Sequence, residues 1–265
     1  MYLADYHHHT DNSFDSQAQM KEVCEQAIRR GVNEVCFTEH FSVNPKVPTY
    51  GHMEFDRYFS QINKCRELVK NQLVIKAGIE LCEPHLMKED YKEALANLEI
   101  DFILGSVHNI KEEKLRTFMA NKTKEEIHQN YFEEVYAMVS DADIDVIAHL
   151  DLIKRYAVET VGNYDFTIYR PIIEKILRKA IKRDIGIEIN TSGLSKKGLK
   201  ETFPSMDVLR LYHSLGGKIL TIGSDSHRSE TVGSNQEIAI KMAKEAGFDK
   251  VYVFERRTPS TINLE

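Results

Sequence analysis

Tryptophan is absent from this 265-residue chain, and it has only four cysteines and six prolines. Cys24, Cys36, Cys65 and Cys82 are widely spaced and form no Cys-x-x-Cys pair. Neither a disulfide framework nor a thiolate zinc site is therefore expected, and the four read as reduced, buried small residues. No apolar run approaches the roughly 20 residues of a membrane helix. The first residues lack the basic and apolar regions of a secretory signal. Those absences make a cytoplasmic enzyme with no membrane partner the expectation. The formal net charge of -6 argues against broad nucleic-acid binding, though not against a local basic pocket for one phosphate. No Pro/Ser-rich linker, low-complexity stretch or internal repeat interrupts the chain, so residues 1–265 are expected to form a single domain.

What is present is a regular alternation. Short β-like runs at about 2–6, 34–38, 73–81, 101–107, 144–148, 185–189 and 218–222 are separated by segments whose apolar residues recur at helical spacing. Gly31 stands where a helix C-terminus is capped, and Thr123 with Glu126 has the form of a capping box. A long connection containing Pro45, Pro48 and Gly51 is a candidate substrate loop. Lys250–Phe254 reads as one last short strand. About seven βα units without a linker predict a parallel α/β domain. Their number and the lack of a Gly-rich loop after strand one favour a (β/α) barrel over an open nucleotide-binding sheet.

Histidine is the informative residue, with 11 copies. Alternate strand residues share a face, so His7 and His9 would point together and His8 away from them, toward a supporting role. The following strand ends carry Glu39-His40, Glu80, Gly105-Ser-Val-His108, His149 and Gly223-Ser-Asp225-Ser-His227. Imidazoles and carboxylates without thiolates suit Zn, Mn or Fe. They are too many for one ion, and a bridging carboxylate such as Glu80 suggests two or three close together. His52, His85, His128 and His213 fall away from strand ends, although His52 and His85 could border the site.

These ordered motifs, with Glu188-Ile-Asn-Thr-Ser-Gly-Leu194, resemble the polymerase and histidinol phosphatase (PHP) family of metal-dependent phosphoesterases over nearly the whole chain, and within it the histidinol-phosphatase branch. The resemblance implies a distorted (β/α)7 barrel with a trinuclear centre. His7, His9, Glu80 and Asp225 would hold one metal. Glu80 would bridge to a second, shared with His108 and His149, and Asp15, His40 and His227 would hold the third. Many relatives have histidine where Asp15 stands, and Asp11 is a nearby competitor for that place.

Clustered divalent ions lower the pKa of water and offset phosphoryl charge, so the expected reaction is direct attack of a metal-bridging hydroxide on a phosphate monoester. The family branch implies L-histidinol phosphate, and so a place in histidine biosynthesis. Asp225, His227 and Arg228 are the expected catalytic residues. Arg155, Lys196 and Lys197 are candidates for the phosphate. Glu83, with Asp151 and Glu39 behind it, is a candidate for the cationic groups of histidinol. The rival readings are a PHP phosphoesterase acting on nucleotides, nucleic-acid ends or another small phosphate, and a non-catalytic metal-binding module. A metal-dependent amidohydrolase would normally carry a bridging lysine where Glu80 stands.

Overall fold

The computed structural model describes residues 1–264. In chain order the elements are β1 (Ala4–His8), α1 (Met20–Arg29), β2 (Glu34–Phe41), α2 (Phe55–Leu68), β3 (Val74–Cys82), α3 (Lys88–Leu95) and β4 (Phe102–Ser106). A small hairpin, β5 (Asn109–Ile110) and β6 (Glu113–Lys114), leads into α4 (Leu115–Phe118) and α5 (Lys124–Asp141). Then come β7 (Val146–Ile147), α6 (Lys154–Ala157), α7 (Phe166–Lys182), β8 (Gly186–Asn190), α8 (Met206–Ser214), β9 (Leu220–Gly223) and α9 (Gln236–Ala246). The last two strands are β10 (Lys250–Glu255) and β11 (Thr258–Asn263).

Seven strands, β1-β2-β3-β4-β7-β8-β9, pair in parallel in that order and curl into a nearly closed, distorted (β/α)7 barrel. Helices cover the outside. One apolar cluster lies beneath α5, α7, α8 and α9 and a second beneath α1 and α2. Tyr6, Cys36, Phe102, Leu104, Val146 and Ala148 fill the lower interior, where Val253 and Phe254 of β10 close the floor. The Tyr6 hydroxyl receives the Phe254 amide at 2.7 Å, and Arg257 in the hairpin turn donates to Asp145 at 3.0 Å.

Two expected caps are present. Thr123 Oγ1 accepts from Glu126 N while Glu126 Oε2 accepts from Thr123 N, and Gly31 follows α1 with a φ of +72°. Other boundaries shift. The first strand runs to His8, and the strand expected over 144–148 is only Val146–Ile147. The hairpins β5–β6 and β10–β11 carry no hydrophobic alternation that would mark both their strands; β11, Thr-Pro-Ser-Thr-Ile-Asn, is mostly polar and exposed.

The barrel's seam lies between β1 and β9. Among the described residues, backbone bonds tie only its upper end, Asp225 N to His7 O at 2.7 Å and His9 N to Ser226 O at 2.9 Å. Below them the fully buried Asp5 takes over the ladder's work. Its carboxylate accepts from Ser224 N (2.8 Å), Ser224 Oγ (2.6 Å) and Gly233 N (2.7 Å). Gly223 on β9 has no room for a side chain, because a Cβ there would lie 2.3 Å from His7 Cβ and 2.2 Å from Glu188 Oε1.

β1 also carries a bulge: its register to β2 shifts between Asp5 and His8. Without that shift the consecutive residues Tyr6 and His7 would face opposite sides of the sheet; with it both face the interior. Asp5→Ala removes three close hydrogen bonds and leaves the buried Ser224 amide unpaired. Chemical denaturation should show a loss on the order of 3 kcal/mol, and a loss below about 0.5 kcal/mol would show that the seam does not depend on this carboxylate.

Candidate metal centre

The C-terminal ends of the strands converge on Glu80. This carboxylate is fully buried, and register pairs it with His40 on β2 and Leu104 on β4. Its Oε2 lies 3.4 Å from His7 Nε2, 3.5 Å from His9 Nε2 and 2.8 Å from His40 Nδ1. Its Oε1 lies 2.9 Å from His149 Nε2 and 3.6 Å from His108 Nε2. His7 and His9 Nε2 are 3.1 Å apart, and each is 3.6 Å from Asp225 Oδ1. Donors about 2.1 Å from one ion stand about 3.4 Å apart in a tetrahedron, a spacing that the His7, His9 and Glu80 atoms approach. Asp15 Oδ2 lies 3.5 Å from His40 Nε2 and 3.4 Å from His227 Nε2. Asp11, the competitor, is instead held by Arg57 and Gln19.

Several of these donors lack ordinary partners. Glu80 Oε2 and His40 Nδ1 approach closely but out of hydrogen-bond alignment, and both remain unsatisfied among the described residues. Buried polar atoms left this way cost stability unless something fills the space between them. Overlapping groups such as His7–His9–Glu80, Glu80–His108–His149 and His7–His149–Asp225 can hold several divalent ions. The donor chemistry fits cations with nitrogen and oxygen ligands.

The electrostatics agree. Burial alone would lower the His7 pKa, but the carboxylates of Glu188, Glu80 and Asp225 hold it well above its ordinary value. Burial would raise Glu80, yet His40, His7 and His108 hold it well below the carboxylate range. His108, where burial dominates, falls to about 3. The Glu80 carboxylate likewise holds His40 above its ordinary value against burial, so the site favours the positive charge that bound cations would supply. His149 and Asp225 adopt positive φ, +27° and +52°. A non-glycine residue there carries strain of order 1–3 kcal/mol, a cost concentrated at functional sites.

Supporting residues fix the rings. Glu188 on β8 opens the Glu188–Leu194 motif, whose spacing alone assigns it no role; its Oε1 meets His7 Nδ1 at 2.7 Å and its Oε2 accepts the His149 amide at 2.8 Å. Ser13 Oγ lies 3.1 Å from His9 Nδ1 and donates to Glu39 at 2.6 Å. A carboxylate behind an imidazole selects the tautomer that turns the other nitrogen inward. His8 points away from the group, fully buried with both ring nitrogens unpaired among the described residues and its ring edge-on to Phe37.

A cleft of about 440 Å³ opens above the centre, lined among others by Phe14, Asp15, His108, Arg116, Arg155 and Tyr156, with Val47–Thr49 of the proline-containing loop. Arg155 stands at its edge, its Nη2 donating to Asp225 Oδ2 at 2.9 Å and close to Ser192 Oγ. The remaining substrate candidates need correction. Glu83 is buried and both its oxygens hold the His108–Asn109 turn. Asp151 is buried against Lys154 and Tyr164, and Glu39 is spent on Thr10 and Ser13. Lys196 pairs with Glu159 at the surface, and neither it nor Lys197 lines the cleft. Arg228 is exposed and borders a neighbouring depression instead of the cleft. His85 pairs with Glu134, and neither it nor His52 lines the cleft. Arg116, which sequence spacing did not single out, enters from α4.

A parallel barrel whose strand ends gather imidazoles and carboxylates into adjoining ion-sized groups defines a metal-dependent hydrolase. The PHP domain matches residues 5–192, and the chain belongs to the PHP family. It is 33% identical over 256 residues to a probable histidinol-phosphatase of Clostridium acetobutylicum, covering 96% of this chain and 97% of that one. It is 30% identical over 258 residues to the histidinol-phosphatase of Lactococcus lactis, covering 94% and 93%. The crystal structure of the Lactococcus lactis histidinol phosphate phosphatase, complexed with zinc, L-histidinol and phosphate, superposes with a TM-score of 0.88 at 29% identity and covers 97% of this chain and 98% of that one. No helix among the described residues is long and apolar enough to cross a membrane.

Burial pushes the Glu83 carboxyl up to about 7. Between its unfolded value near 4.5 and that folded value, the folded chain binds more protons than the unfolded chain. Its contribution to stability is therefore present below this window and lost as pH rises through it. Denaturation midpoints of the metal-free protein at pH 5 and pH 8 should differ less in Glu83→Gln than in the wild type. Equal differences would show that another group governs this window.

Proposed function

We propose that this chain is a metal-dependent phosphatase that hydrolyses L-histidinol phosphate to L-histidinol and phosphate in histidine biosynthesis, acting in the cytoplasm as one PHP-type unit. The observation that carries the reading is the fully buried Glu80 carboxylate, with imidazoles from β1, β2, the β4–β5 connection and the end of β7 around its two oxygens. His7, His9, Glu80 and Asp225 would hold one ion, Glu80, His108 and His149 a second, and Asp15, His40 and His227 a third. Two or three divalent ions held there, zinc, manganese or iron, supply a nucleophilic water near neutral pH and offset the charge of the phosphoryl oxygens.

The chain's own residues do the rest. Arg155 is fixed by Asp225 on one side while its guanidinium borders the cleft, so it can grip a phosphoryl oxygen without first being ordered. His227, with Nε2 toward Asp15 and Nδ1 3.1 Å from the Asp225 carbonyl oxygen, would serve as a neutral imidazole in the third ion group and help position the attacking water. Glu188 and the Ser13–Glu39 pair keep His7 and His9 in the tautomer that presents Nε2 to the centre. Phe14 and Tyr156 give the alcohol portion of the substrate an apolar wall and keep bulk water from the reacting atoms.

Phosphate release from L-histidinol phosphate, a nucleoside monophosphate and an aryl phosphate, with manganese or zinc added, separates this reading from its rivals. Turnover should be highest with L-histidinol phosphate and vanish on chelation. Equal rates across the panel would overturn the substrate, and absence of turnover with every metal would overturn the phosphatase. Glu188→Gln should leave the fold intact and weaken metal binding by about 10–100-fold. Unchanged metal content after dialysis against a chelator would remove Glu188 from this supporting role.

A further inference from the structure

Of the four cysteines, Cys82 is set apart by its surroundings. Cys24 and Cys65 are packed in the apolar cluster beneath α1 and α2, and Cys36 in the lower barrel interior. Cys82 belongs to none of these clusters, although it is only 4% exposed. It stands two residues beyond Glu80 on β3, so the pleat turns both side chains to the same face. Register places it beside Ser106 on β4, two residues before His108. Its carbonyl is anchored by the Tyr91 hydroxyl at 2.6 Å, which fixes the backbone there.

The thiol therefore sits between two imidazoles. Donor atoms of His40, Cys82 and His108 all lie within 4.8 Å of one another, and all three side chains line the cleft. His40 is 7% exposed, and its Nδ1 has no hydrogen-bond partner among the described residues. Its Nε2 faces Asp15 and its Nδ1 faces the Glu80 side. The unsatisfied nitrogen is thus aimed into the space that the sulfur borders.

We propose that Cys82 Sγ joins His40 and His108 in a sulfur-containing ion subsite of this centre, one that takes a thiophilic divalent ion such as zinc or cadmium in preference to manganese. The inference rests on the metal centre proposed above. As the ion binds, the thiol proton passes to solvent and the sulfur's lone pair goes to the metal. A soft thiolate in an otherwise nitrogen and oxygen environment shifts selectivity toward zinc and cadmium, which manganese does not share. A neutral imidazole offers one lone-pair nitrogen, so this subsite competes with the Asp15–His40–His227 group for His40.

The test uses full-length protein stripped of metal and reloaded with cobalt(II). Visible d–d absorption reports loading, and near-ultraviolet sulfur-to-cobalt charge transfer reports a thiolate ligand. The wild type should show both, whereas Cys82→Ser and Cys82→Ala, with wild-type circular dichroism, should keep the first and lose the second. Cadmium affinity should fall by about tenfold or more in these variants, and manganese affinity should change by less than about threefold. Loading without charge transfer in the wild type, or charge transfer that survives both substitutions, overturns the subsite while leaving the metal centre standing. No cobalt uptake at all overturns the centre and the subsite together. If both variants misfold, charge transfer in the wild type that disappears when the cleft-facing thiol is alkylated decides in favour, and its persistence decides against.

Discussion

A single desolvated carboxylate governs the architecture above the barrel floor. Glu80 is sealed from solvent in the middle of a sheet, where an unpaired charge would cost several kcal/mol. Each of its oxygens is answered by a different set of imidazoles, and those imidazoles come from strands that touch Glu80's own strand or lie across the barrel from it. The barrel supplies what an open sheet would not, a ring of strand ends pointing at one place. Every further device described here serves to keep that ring in register.

The β1 bulge and the positive φ values at His149 and Asp225 belong to the same problem. Regular strands alternate faces, yet two of the imidazoles gathered on Glu80 stand at positions where alternation would turn them outward. His7 follows the inward-facing Tyr6 directly, and His149 follows the inward-facing Ala148. In both places the backbone leaves ideal β geometry to bring neighbouring residues to one side. The tight bonding beneath them, Asp5 at the seam and Glu188 behind His7 and His149, supplies the context in which such strained conformations persist.

This also explains which parts of the molecule were legible in the sequence. Ligand-type residues recur at strand ends, and strand ends are marked by hydrophobic runs, so His7, His9, His40, Glu80, His108, His149, Asp225 and His227 can be gathered from the sequence alone. The barrel itself followed from the alternation of elements. Residues chosen only because they lay next to a motif fared worse. Glu83, Lys196, Lys197 and Arg228 sit beside the right segments, but one step along a turn separates a cleft wall from a buried brace or an exposed tip. Asp5 and Ser13 carry little local signal, since Ser224, Gly233 and Glu39 lie far from them in sequence, and Arg116 sits on a short helix behind a hairpin without hydrophobic alternation. Cys82 was grouped with three packing cysteines because spacing alone cannot distinguish an apolar neighbourhood from a polar one.

The seam has a consequence for how tightly this molecule holds what it binds. Asp5 and its partner Ser224 are 219 residues apart, and the same joint separates His7 and His9 from Asp225 and His227. Ions held by both sides, as proposed above, would staple the two ends of the sheet together, much as a cross-link would, and resist any opening that parts β1 from β9. Ion release and seam breathing then become one event seen from two sides. Amide hydrogens flanking the joint should exchange on the timescale on which the centre sheds its ions.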